Sequence, residues 1–172
     1  GALFGDFSGL TIQFTGINRN GRVMFPAPLV GGDVVGTTND LAMYTGTPGA
    51  LTIVVRNGDT MLPGPVKAAG FAIRDGDFYG NNQMAGDRIL YNLGLSGPGV
   101  TTNNDESLWL YTPGSGNALL LREGNPAPGT AGAVFGNSSG IDSFELAPTA
   151  VASNGTFAFY TGLVGGDSNV TN

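Results

Sequence analysis

The sequence predicts an all-β protein of antiparallel four-stranded repeats laid out like β-propeller blades, and three observations carry that prediction. Hydrophobic residues, 41% of the chain, fall in short β-branched and aromatic runs among 30 glycines and 10 prolines. Such punctuation excludes long helices, because glycine and proline are the poorest helix formers. Asn20-Gly21, Asn57-Gly58 and Asn154-Gly155 separate apolar runs, and these dipeptides accept the positive φ that closes tight antiparallel connections. The chain also matches itself at a period of about 66 residues.

Gly1-Ala-Leu-Phe-Gly-Asp-Phe-Ser-Gly9 returns two periods later as Gly132-Ala-Val-Phe-Gly-Asn-Ser-Ser-Gly140. One period apart, Leu41-Ala-Met-Tyr44 matches Leu108-Trp-Leu-Tyr111, and Val55-Arg-Asn-Gly-Asp59 matches Leu121-Arg-Glu-Gly-Asn125. A Pro-Gly turn follows each of the latter, at Pro63-Gly64 and Pro128-Gly129. Asn20-Gly-Arg-Val-Met-Phe25 aligns with Asn154-Gly-Thr-Phe-Ala-Phe159, and Leu29-Val-Gly-Gly-Asp33 recurs intact as Leu163-Val-Gly-Gly-Asp167. The expected organisation is one array over residues 1–172, with repeats at about 1–66, 67–131 and 132–172, the third incomplete.

Taken in order, the apolar runs place strands of the first copy at 10–17, 22–30, 41–45 and 51–56. The second copy has its runs at 70–74, 88–95, 107–112 and 118–122, and the third at 143–146 and 156–164. Turn residues separate every pair. Blades of familiar propellers repeat at roughly 40–50 residues, so a β-sandwich or a solenoid array is the alternative layout. Asn172 aligns with Thr38 of the first copy, so the strand that begins at Leu41 has no third counterpart. An incomplete repeat exposes sheet edges whose free amides and carbonyls are templates for another chain. The expectation is a homo-oligomer or homopolymer, a ring, filament or coat built by strand addition.

The segment from Asn18 to Phe25, then Asn39-Asp40, Arg56, Gly58-Asp59 and Pro63-Gly64, resembles the tandem NxxGxxAF repeats of bacterial surface proteins. Asn104-Asp105, the stretch Arg122-Glu-Gly-Asn-Pro-Ala-Pro-Gly129 and Gly155-Thr-Phe-Ala-Phe159 extend the resemblance over nearly the whole chain. It implies an exported protein at the cell surface or outside the cell, with no established enzymatic activity or cofactor.

Residue types narrow the chemistry further. A net charge of -6, with Lys67 as the one lysine and arginines scattered singly, provides no basic stripe to displace counterions from nucleic acid or bind an anionic membrane. Cysteine and histidine are absent, which excludes Ser-His-Asp triads, cysteine nucleophiles and His- or Cys-ligated zinc. No apolar run reaches the 18 or so residues a membrane helix needs. Gly94-Leu-Ser96-Gly97-Pro98 lacks the last glycine of a nucleophile elbow.

Glu106, Glu123 and Glu145 are the glutamates from which a glycan-processing site would be drawn, and Asp105-Glu106 reads as a solvated turn. Asp75, Asp77, Asn81 and Asp87 place hard oxygens near one Gly-bearing loop that suits calcium, although Asp and Asn are ordinary turn formers too. Arg56 and Arg122 recur with Asp40 and Asp105, so a salt bridge in each repeat is expected. Tyr44, Trp109 and Tyr111 offer flat rings for stacking on a sugar, or for core packing. The sequons at Asn137, Asn154 and Asn169 are expected by chance in so polar a chain. The reading that results is a non-enzymatic extracellular structural protein that self-assembles, with no catalytic residues and no cofactor; the alternative is a carbohydrate-binding lectin module.

Overall fold

The computed structural model describes residues 1–6, 16–70, 83–136 and 147–167, and every regular element among them is a β-strand. The first sheet holds β1 (Leu3–Phe4), β2 (Gly16–Ile17), β3 (Val23–Val30), β4 (Leu41–Thr47) and β5 (Ala50–Arg56). The long β3 pairs with β2 through Gly16 opposite Met24 and with β1 through Leu3 opposite Val30. Its far edge carries β4, and β4 carries β5, all antiparallel.

The second sheet repeats that plan with β6 (Lys67–Gly70), β7 (Gln83–Ala85), β8 (Arg88–Ser96), β9 (Glu106–Thr112) and β10 (Gly116–Arg122). Here β6 and β7 divide one edge of β8, and β9 followed by β10 extends the other. In the third group, β11 (Val134–Phe135) pairs with β14 (Leu163–Val164), and β12 (Ala147–Val151) pairs with β13 (Phe157–Tyr160). Among the described residues no sheet closes into a barrel.

The strand ends are tied down in matching ways. Leu29 N–H donates to the Asp40 carbonyl at 2.6 Å, as Leu95 N–H does to that of Asp105 at 2.7 Å. Gly58 N–H donates to the Ala68 carbonyl at 2.8 Å and Gly124 N–H to the Phe135 carbonyl at 2.7 Å. Gly58 and Gly124 have φ near +85° and +80°, and a Cβ on either would sit 3.2 Å from the carbonyl oxygen of Thr38 or Asn103. Both positions therefore require glycine for backbone conformation and for close approach. Even the β-bulges correspond, with Val54 inserted between Ile53 and Val55 and Leu120 between Leu119 and Leu121.

Residues directly opposite in a ladder share a face, and successive residues alternate between faces. Phe25, Tyr44 and Ile53 thus lie side by side on one face of the first sheet, its front, while Met24, Met43 and Val55 lie on its back. Tyr91, Trp109 and Leu119 form the matching front of the second sheet, and Leu90, Leu108 and Leu121 its back. One buried cluster joins Met24, Met43 and Val55 to Ile89, Tyr91 and Trp109. Another joins Leu90, Leu108 and Leu121 to Phe135, Phe157 and Phe159 of the third group. The molecule is therefore a stack in which the back of each sheet covers the front of the next. Residues 89–93 of β8 are buried along their whole length because both faces of that strand are covered.

The expected strands at 22–30, 41–45, 51–56, 88–95, 107–112 and 118–122 coincide with β3, β4, β5, β8, β9 and β10 to within a few residues. The expected 156–164 strand is divided into β13 and β14, with Thr161 and Gly162 between them. Of the run expected at 10–17, Gly16 and Ile17 form β2 and the rest lies outside the described residues. Residues 71–74 and 143–146 lie outside them as well.

Candidate functional site

A groove of about 710 Å³ runs between the back of the second sheet and the third group. Leu120 and Leu121 form one wall, and Phe135, Phe157, Phe159 and Leu163 form the other. The rings of Phe157 and Phe159 stack at 6.0 Å, and Phe135 meets Phe159 edge-on at 6.2 Å. The strand pattern explains why this space is open. On β8 one edge carries β7 and the other carries β9, whereas on β13 the edge away from β12 carries no strand among the described residues. Trp109 and Tyr111 of β9 cover the back of the first sheet, and the described residues provide no counterpart over Leu120.

The aromatic residues singled out in the sequence separate. Trp109 is 3% exposed and Tyr111 is 8% exposed, both in the core between the first two sheets. Trp109 donates its Nε1–H to Ser107 Oγ at 2.8 Å, and Ser107 donates to the Leu93 carbonyl at 2.7 Å. A buried indole with its one polar atom satisfied presents no face to a sugar, which corrects the stacking platform expected of Trp109 and Tyr111. Tyr44 is elsewhere, on the front of the first sheet, stacked on Phe25 at 5.8 Å and met edge-on by Phe4 at 5.3 Å. Partial burial there raises the Tyr44 phenol above its ordinary pKa.

The expected salt bridges to Asp40 and Asp105 are not the ones formed. Arg56 Nη1 pairs with Asp33 at 2.6 Å, and Arg56 Nε donates to the Asn39 carbonyl at 2.7 Å. The hydrogen bond from Arg56 Nη1 to Asp33 holds the Asp33 carboxyl below the usual carboxylate range. Arg122 donates to the Asn104 carbonyl at 2.6 Å and to Asn104 Oδ1 at 3.2 Å. Each guanidinium thus fastens the loop that leads into the strand paired with its own, β4 for Arg56 and β9 for Arg122, a task suited to its planar fork. Local sequence spacing cannot distinguish that from pairing with the adjacent aspartate.

The glutamates also differ from expectation. Glu106 opens β9 rather than sitting in a solvated turn, and its carbonyl accepts from Glu123 N–H at 2.9 Å. Glu123, at 4% exposure, is the buried carboxyl among the described residues. Desolvation, then the neighbouring Asp105 and Glu106, push its pKa up to about 7. Its Oε2 makes no hydrogen bond among the described residues. Glu145 lies outside those residues, as do Asp75, Asp77 and Asn81 of the calcium loop. Asp87 is described, and it holds Arg22 Nε at 2.9 Å. No group of three carboxylates suited to a metal occurs among the described residues, and no helix there is long and apolar enough to cross a membrane.

The fold defines an antiparallel all-β protein of stacked sheets with an apolar groove at one end of the stack. Residues 1–172 match a family of unknown function, DUF7453, and the chain belongs to that family. No curated protein and no solved structure matches it.

Proposed function

We propose that this is a non-enzymatic extracellular structural protein that self-assembles through strands of its third group. In this reading the three strand groups are successive copies of one repeat, and the third is completed by another molecule. The single observation that carries it is the edge of β13, which has no strand beside it among the described residues and borders a groove lined by Leu120, Phe157 and Phe159. Backbone amides and carbonyls along such an edge give an incoming strand its affinity, and apolar pockets give it register. Placement outside the cell draws on the likeness to the NxxGxxAF repeats. The absence of histidine and cysteine supports a role without catalysis.

Light scattering of the purified chain from micromolar to millimolar concentration is the direct test, with electron microscopy for rings or filaments. The expected result is a mass that climbs in whole multiples of the 17.5 kDa chain. A folded chain that remains monomeric over that range defeats the proposal.

A further inference from the structure

Among the described residues, the front of the first sheet exposes an apolar patch, although Ala27, Ala42 and Leu29 on the same face are buried. Ile17 is 72% exposed, Phe4 49%, Ile53 43% and Leu51 40%, and they surround the stacked Phe25 and Tyr44 rings. The corresponding front of the second sheet, with Tyr91 and Trp109, is buried under the back of the first. That of the third group, with Phe157 and Phe159, packs against the back of the second. The same kind of surface thus meets the back of a neighbouring sheet at both internal junctions, tightly at the first and with the groove beside Leu120 at the second, while the exposed patch of the first sheet meets none among the described residues.

Polar contacts recur at those junctions too, at the tips of the hairpins. Arg22 Nε reaches Asp87 at 2.9 Å and Asn18 Nδ2 donates to the Gly86 carbonyl at 2.7 Å, joining the β2–β3 hairpin to the β7–β8 hairpin. Arg88, which follows β7 as Arg22 follows β2, donates from its guanidinium to the Ser153 carbonyl between β12 and β13. The stack therefore advances by one repeated step, with a hairpin over a hairpin and a back over a front. Tyr160, 54% exposed, lies on β13, and exposed Ala158 is central to the back of the third group.

We propose that the front of the first sheet, built on Phe4, Ile17, Phe25, Tyr44, Leu51 and Ile53, docks the back of the third group of a second copy of this chain. The junction continues the two inside the molecule, so a docked pair places one copy's β2–β3 hairpin over the other's β12–β13 hairpin. The inference rests on the assembly reading above and adds a different contact to it, sheet face against sheet face rather than strand edge against strand edge.

Two measurements on the full chain test it. Ile53→Lys puts a charge in the middle of the docking face at an exposed site, and circular dichroism verifies that the variant is folded. Its association by sedimentation is expected to be at least about tenfold weaker than that of the wild type, since burying an unpaired ammonium opposes docking. The second uses the absence of cysteine from the chain. An Ile17→Cys chain mixed with an Ala158→Cys chain should give a disulfide heterodimer under mild oxidation, well above the yield of Ile17→Cys mixed with a Gly114→Cys control. Assembly that proceeds undiminished in Ile53→Lys, with no heterodimer above control, overturns face docking and leaves the edge reading standing. A wild-type chain that stays monomeric, or one that instead binds an oligosaccharide on this face, overturns the docking.

Discussion

Glu123 is where a single side chain sets a measurable property of the protein. Its carboxyl pKa, about 7 in the folded chain, lies above the value of about 4.3 that an unfolded chain presents. The native state therefore binds more protons between those limits, and stability falls as the pH rises through the window. The contribution is fully present below about pH 4, and its loss, about 3 kcal/mol, is complete above about pH 7. Glu123→Gln removes the charge, so urea denaturation should find it about 3 kcal/mol more stable than wild type at pH 8 and little different at pH 4. Asn57, neutral and buried, stands at the same place in the first sheet, which fits a site that favours an uncharged side chain. Tyr91 gives a second test at this scale. Its hydroxyl is buried with no hydrogen-bond partner among the described residues, and burial followed by the charge of Asp59 drives its pKa upward. Tyr91→Phe is expected to stabilise the fold by about 1 kcal/mol, read as a higher midpoint in the same denaturation experiment. Neither environment was legible in the sequence, because Glu123 and Tyr91 are buried by residues distant along the chain.

At the level of elements, the long strands carry the core and the short ones complete its edges. β8 is covered on both faces, and the run Ile89-Leu90-Tyr91 is what a strand buried on both sides looks like in sequence. Leu108, on β9 beside it, is fully buried in the cluster with Leu90 and Leu121. Leu108→Ala should destabilise the protein by about 2–5 kcal/mol, measurable by thermal or urea unfolding. A loss under about 1 kcal/mol would mean that the back of the second sheet is not covered as described. The elements legible from the sequence are those long enough to show an apolar run bounded by turn residues, β3, β4, β5, β8, β9 and β10. β1, β7 and β11 are two or three residues long, too short for any periodicity, and they exist because β3, β8 and β14 offer them an edge. The break between β13 and β14 falls at Thr161-Gly162, a short polar interruption between two apolar runs that a reading of 156–164 as one strand passes over.

Across the whole molecule, the order of the sheets follows from two kinds of surface. Alternation along β3 and β8 places apolar residues on both faces, so the sequence identifies the strands as buried without saying which face meets which neighbour. The packing resolves that, with the back of one sheet on the aromatic front of the next at both junctions. Because back and front differ, the stack has a direction, as a row of arrows does. A fibre joined by such contacts is polar, with chemically distinct ends that extend at different rates. In the proposed assembly an Ile53→Lys chain retains its third group but has a damaged docking face on its first sheet, so it is expected to attach at one terminus and cap it. Added at a small fraction of the total, it should halt elongation at that terminus while the opposite one continues to grow, an asymmetry that time-lapse imaging of labelled fibres would record.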